Sequence, residues 1–74
     1  MSYLPVISAR EVIRALLAIG YQLDHQRGSH VVLRHTDPPH RRVTVPNHDP
    51  IAKGTLRSII RETGLTVDEF RDLL

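Results

Sequence analysis

Near the N-terminus, the sequence contains signals for both the beginning and the end of one helix. These two signals constrain the fold more than any other feature. Ser8 and Glu11 have the spacing of a capping box, in which each side chain satisfies a backbone N–H of the first helical turn. Apolar residues then recur at helical spacing as far as Ile19, and Gly20 suits the left-handed end of a helix. The pattern predicts a first helix from about Ala9 to Ile19.

Three short segments with strand character follow this helix. Residues 21–25 and 41–45 alternate apolar with polar side chains, and residues 30–35 are rich in β-branched types. Because the connections are short, we expect antiparallel neighbouring strands. The predicted inward set is Tyr21, Leu23, Val31, Leu33, Val43 and Val45, and the predicted opposite face presents His30, Arg34, Arg42 and Thr44.

A second helix is predicted over residues 53–63, with Gly64 as its end. Thr66 and Glu69 repeat the capping box, which predicts a short third helix. A single small sheet builds one core, so we expect both main helices on one of its faces. The predicted fold class is α+β, a single α-β-β-β-α domain over residues 1–74 with a short C-terminal helix.

Composition supports a folded chain without cross-links. Leu, Val, Ile and Phe make up 23 of 74 residues, too high a share for intrinsic disorder, and there is no cysteine. The longest apolar run is five residues, Ala15 to Ile19. A membrane span needs about 20 such residues and a signal-peptide core about 7–15, so we expect a cytoplasmic protein.

Charge is distributed unevenly. Residues 1–61 carry nine basic and four acidic side chains, a net of +5, whereas residues 62–74 carry one basic and four acidic side chains, a net of −3. A basic body of this kind suits an anionic ligand at one surface. An ordinary solvated surface with uneven charge is the alternative.

Histidines are frequent, and one of them has a distinctive context. Gly28 and Ser29 precede His30 at the start of a strand; glycine lets the backbone approach a ligand, and imidazole suits acid–base work near neutral pH. A surface histidine after a hairpin turn is the alternative interpretation. The five histidines of the chain are His25, His30, His35, His40 and His48. No metal site is predicted, because cysteine is absent and the spacing of these histidines does not fit a metal-ligand pattern.

The second helix carries a basic stripe. Lys53, Arg57 and Arg61 lie at i, i+4 and i+8, and Gly54 and Thr55 fall in the first turn, where free backbone N–H groups favour anions. Such contacts position a nucleic-acid backbone without discriminating between base sequences.

Aromatic side chains are too few for a module that stacks bases. Tyr3, Tyr21 and Phe70 are the only ones, and the last two are expected in the core. The sequence also lacks a cysteine nucleophile, a P-loop and a serine-hydrolase motif.

Three motifs in this order resemble the HicA toxin family, the mRNA-interferase halves of HicA–HicB toxin–antitoxin modules. They are Gly28-Ser29-His30, then Pro46-x-His48, then Gly54-Thr55-Leu56-Arg57-x-Ile59. The resemblance covers nearly the whole chain, including Leu4-Pro5 and Gly20-Tyr21. It implies a fold similar to double-stranded-RNA-binding domains and a metal-independent ribonuclease with one catalytic histidine, which matches His30.

The resemblance and the residues together give the expected site and partners. The partners would be an mRNA substrate and a HicB-like antitoxin that covers the site, with no membrane and no cofactor, and the free chain would be monomeric. A non-catalytic double-stranded-RNA-binding module and a protein-interaction domain remain alternatives. His30 is the catalytic candidate, and the RNA-binding candidates are Arg27, Gly28, Ser29, Arg34, Lys53, Gly54, Thr55, Arg57 and Arg61.

Overall fold

The computed structural model of the chain describes residues 3–74 and confirms the predicted α+β class. Its three strands form one antiparallel sheet in the order β1-β2-β3. No helix within residues 3–74 is both long and apolar enough to cross a membrane. The elements are α1 (Ala9–Ala18), β1 (Tyr21–Arg27), β2 (His30–His35), β3 (Arg42–Pro46), α2 (Lys53–Thr63) and α3 (Val67–Arg71).

Local signals set the helix ends as predicted. The Ser8 hydroxyl accepts a hydrogen bond from the Glu11 N–H at 3.3 Å, and the Glu11 carboxylate accepts one from the Ser8 N–H at 3.2 Å. The same exchange between Thr66 and Glu69 begins α3. Gly64 ends α2 with a φ of 82°, a left-handed conformation that glycine adopts without steric cost.

One continuous core lies between the helices and a single face of the sheet. Alternate residues of β2 and β3 point into it, while the side chains between them remain largely accessible to solvent. We call this second side of the sheet the open face, since neither α1 nor α2 packs on it. The largest fully buried side chains are Val12, Leu16, Leu33, Val43, Val45, Leu56, Ile59 and Phe70.

Leu23 was predicted to point into the core, and this prediction is wrong. Leu23 pairs with Leu33, which is fully buried, yet Leu23 itself is 62% exposed. It lies on β1, an edge strand, directly before a β-bulge in which Asp24 is the unpaired extra residue. Tyr21 at the start of β1 is buried, and every later residue of this strand is exposed to water.

The burial difference between paired leucines gives a stability prediction. We expect Leu33→Ala to lower the free energy of unfolding by about 2–5 kcal/mol because it opens a cavity in the core. Leu23→Ala removes exposed surface only and should change it by less than about 0.5 kcal/mol. Urea unfolding monitored by circular dichroism measures both free energies of unfolding. Equal decreases for the two variants would contradict the exposed position of Leu23.

Candidate nucleic-acid interface

A two-residue turn places His30 at one end of the open face. Gly28 has a φ of 59° and Ser29 does not have a positive φ, the pattern of a type II′ hairpin turn, which prefers glycine at its first central position. A Cβ on Gly28 would meet no described atom within 4 Å, so the turn conformation rather than crowding requires the glycine. His30 therefore begins β2 immediately after the turn, exposed, opposite Arg27 on β1 and Pro46 on β3.

The open face is polar and basic along its length. Directly opposed residues of antiparallel strands share a face, so the strand register gives its composition. Four residues separate His30 from Arg34 on β2, which corresponds to roughly 13 Å of strand. Three rows cross the sheet: Arg27, His30 and Pro46; then His25, Val32 and Thr44; then Gln22, Arg34 and Arg42.

His25 is the residue of this face that the sequence analysis did not place. Simple alternation from Tyr21 would turn its side chain toward the core. The bulge after Leu23 shifts the alternation by one residue and brings His25 into the row of Val32. The signal that could have revealed this shift is the unbroken polar run 24–27, which does not alternate.

Asp24 and His25 form a hydrogen-bonded pair at this edge. His25 Nδ1 lies 2.8 Å from Asp24 Oδ2. This hydrogen bond is the main reason why the pKa of Asp24 lies below its usual range. The positive charges of Arg42 and Arg34 act in the same direction. The carboxylate is therefore ionised at neutral pH and can only accept hydrogen bonds, so Nδ1 carries the proton and Nε2 is left for another partner.

The connection from β3 to α2 meets the hairpin at the His30 end of the molecule. The Asn47 N–H donates to the Ser29 carbonyl at 2.6 Å, and the Ala9 N–H at the start of α1 donates to the His48 carbonyl at 3.0 Å. The His48 N–H also donates to the Pro46 carbonyl at 2.8 Å. The loop thus brings the beginning of α2 to the same end as His30.

The first turn of α2 keeps its backbone donors accessible. Its N-cap is Ala52, which provides no side-chain hydrogen bond, whereas α1 and α3 are both capped by side chains. Lys53 and Gly54 in this turn are exposed and Thr55 is half-buried. The free N–H groups and the positive end of the helix dipole at this position favour an anionic ligand.

The remaining basic candidates separate into two surfaces. One flank of α2 carries the exposed side chains of Lys53, Arg57 and Arg61. With a rotation of 100° per residue, this flank lies about a quarter turn around the helix from the buried side chains of α2. The helix ends at the opposite end of the molecule, where Arg41 Nη1 donates to the Glu62 carbonyl at 3.2 Å. Arg61 therefore lies far from His30 along the molecule. Arg34 lies on the open face, whereas α2 packs on the covered face.

Two other histidines have structural partners. The Asp37 N–H donates to His35 Nδ1 at 3.0 Å, so His35 Nε2 carries the proton and donates to the Ile19 carbonyl at 2.8 Å. His40 Nδ1 lies 3.1 Å from the His35 carbonyl oxygen. Within residues 3–74, no three histidine or carboxylate side chains come close enough together to hold a metal ion.

Comparison with known proteins identifies a family for this chain. No curated protein matches the chain. The protein-family model described as HicA toxin of bacterial toxin-antitoxin matches residues 9–65. The match runs from the first residue of α1 to just beyond the end of α2, and it includes the hairpin, the loop after β3 and the basic helix. Since it covers well over half of the chain, the chain belongs to the HicA toxin family, the toxins of bacterial toxin–antitoxin systems.

Proposed function

We propose that this toxin is a metal-independent mRNA endoribonuclease with His30 as its acid–base residue. The observation that carries the proposal is the position of His30: exposed at the end of the open face, directly opposite Arg27 and beside the loop that leads to α2. An imidazole beside a guanidinium can move a proton and stabilise negative charge on the same phosphate.

The chemistry needs little from the protein because RNA supplies its own nucleophile. His30 would remove the proton of a 2′-hydroxyl, whose oxygen then attacks the adjacent phosphorus. Proton transfer of this kind contributes about 10²–10⁴ to a rate. Arg27, directly across the strand pair, would stabilise the charge that develops on the phosphoryl oxygens.

The other candidate residues would hold the RNA backbone. Gly28 and Ser29 form the turn beside the reacting phosphate, and the N–H groups of Lys53, Gly54 and Thr55 would take a neighbouring phosphate at the start of α2. Contacts of this type position RNA without selecting a base sequence. The more distant backbone contacts would come from Arg34 on the open face and from Arg57 and Arg61 on the flank of α2.

A HicB-like antitoxin is the proposed protein partner. Membership of a toxin–antitoxin family supports an antitoxin as the partner, and its HicB-like character is part of our proposal. Inhibition would follow if the antitoxin covered the open face and excluded RNA from His30. Such a partner needs acidic side chains opposite Arg27, Arg34 and Arg42, since burial of unpaired guanidinium groups is costly.

A non-catalytic double-stranded-RNA-binding module is the second candidate. The observation that favours it is the basic flank of α2, which extends over about 12 Å, eight residues at 1.5 Å each, away from His30. A helix flank of this length suits the phosphates of a duplex, which is recognised mainly through its shape and backbone.

Replacement of His30 distinguishes the two candidates. We expect His30→Ala to lower the rate of RNA cleavage in EDTA by about 10²–10⁴ without loss of folding, because the variant lacks the proton-transfer group. The measurement is single-turnover cleavage of labelled RNA, with circular dichroism as the folding check.

His40→Asn is the matched control, since His40 lies at the other end of the sheet and asparagine tolerates its φ of 60°. A folded His30→Ala variant that cleaves at the wild-type rate would exclude His30, and RNA binding without cleavage by the wild type would favour the second candidate.

The basic flank of α2 gives a separate prediction for RNA affinity. For single-stranded RNA, Arg57→Ala combined with Arg61→Ala should reduce the slope of log affinity against log salt concentration by about 1.4, since two phosphate contacts no longer release counterions. Filter binding with an inactive His30→Ala background at several salt concentrations measures the slope. Arg71→Ala, in the acidic C-terminal segment, is the control, and a slope unchanged by the double substitution would place the RNA elsewhere.

A further inference from the structure

The open face carries a second imidazole beside His30. We propose that His25, oriented by Asp24, is a second catalytic residue of the same site and acts as the general acid that protonates the leaving 5′-oxygen. The proposal rests on the proposed ribonuclease function. One histidine serves one side of the reacting phosphate, whereas transesterification of RNA moves protons on two opposite sides.

The strand register places His25 and His30 at neighbouring positions of the open face. His30 is opposite Arg27, and His25 precedes Arg27 by two residues on the same face of β1. His25 and His30 are therefore diagonal neighbours, and such positions lie about 7–8 Å apart on adjacent antiparallel strands. The attacking and leaving oxygens lie on opposite sides of a phosphorus in line, and each needs a proton-transfer group about 2.6–3.2 Å away. We infer that a single phosphate on this face can be reached by both side chains.

The β-bulge supplies both the direction of His25 and its orienting partner. The extra residue turns His25 onto the open face and leaves Asp24 unpaired beside it, with Oδ2 at 2.8 Å from Nδ1. Because the ionised carboxylate holds the Nδ1 proton, the other ring nitrogen is the one presented to a substrate. A base or acid oriented by a third group is the arrangement that nucleophilic and acid–base sites use repeatedly. Asp24 touches the imidazole and not the substrate, so it is a positioning residue.

Exposure and charge at this position are compatible with catalysis. The His25 side chain is 52% exposed and the Asp24 side chain 32% exposed, so a phosphate can reach the ring without a rearrangement of the chain. Arg27 is a neighbour of both histidines on the open face, opposite His30 and two residues after His25, where its charge can stabilise a dianionic phosphorane. The hydrogen bond with His25 lowers the pKa of Asp24 most, and the positive charges of Arg42 and Arg34 act in the same direction, so the carboxylate is charged at neutral pH.

The reaction balances with these two residues alone. Neutral His30 takes the proton of the 2′-hydroxyl as the 2′-oxygen–phosphorus bond forms. Protonated His25 gives its Nε2 proton to the 5′-oxygen as the phosphorus–oxygen bond to that group breaks. The products are a 2′,3′-cyclic phosphate and a 5′-hydroxyl, and solvent returns His30 to its neutral form and His25 to its protonated form.

A leaving group that needs no proton isolates the role of His25. The probe is a short RNA whose scissile 5′-bridging oxygen is replaced by sulfur, compared with the natural RNA in single-turnover cleavage with EDTA. We expect His25→Ala to slow cleavage of the natural RNA by about 10²–10⁴ and cleavage of the sulfur substrate by less than about tenfold. His30→Ala should slow both substrates strongly, and His40→Asn should slow neither.

The outcomes separate this proposal from the proposed function. If His30→Ala abolishes cleavage and His25→Ala cleaves natural RNA at the wild-type rate, the ribonuclease stands and the role of His25 is overturned. Equal losses on both substrates for His25→Ala would also overturn the role as general acid. If the wild type cleaves neither substrate, the ribonuclease assignment itself is wrong, and the role of His25 is wrong with it.

The positioning role of Asp24 can be tested through the ¹⁵N chemical shifts of the His25 ring, which replacement of a merely structural residue would not change. Asp24→Ala should move the ¹⁵N chemical shifts of the His25 ring away from the Nδ1–H tautomer, with a folded chain and a smaller loss of cleavage than His25→Ala. Unchanged ring shifts would show that the carboxylate does not hold the tautomer.

Discussion

Burial of only one face of the sheet is the constraint on which the rest of the structure depends. A chain of 74 residues has enough apolar side chains for one core, and both main helices are used to cover it. The open face is then polar by necessity, because nothing of this chain packs on it within the described residues. The surface that can meet RNA or a partner protein is thus a consequence of how a small α+β chain forms its core.

The β-bulge connects this architecture to the chemistry of the face. Edge strands are free to bulge because only one of their sides is paired, and the bulge in β1 redirects the residues that follow Leu23. The same irregularity gives His25 its position and gives it a carboxylate partner. A departure from regular pairing has therefore produced the one hydrogen-bonded pair of acid and imidazole on this surface of residues 3–74.

Two basic surfaces diverge from the His30 end of the molecule, one along the open face and one along the flank of α2. A phosphate chain that passes the hairpin can use both, since the loop after β3 brings the start of α2 to the same end. Under the proposed function, an antitoxin would exclude RNA from the open face or from this junction, and complementary acidic charge is the simplest means.

The sequence by itself determined the features that depend on neighbours along the chain. The capping boxes at Ser8 and Thr66 and the glycine end of α2 act within a few residues, so they specified the helices before any packing was known. The hairpin that carries His30 was equally local. Tertiary structure alone decided which strand would lie at an edge and where it would bulge, because both depend on pairing between residues that are distant in sequence. For that reason Leu23 was misplaced and His25 was not recognised until the strands were paired, whereas the placement of Arg34 on the face away from the helices was already predicted.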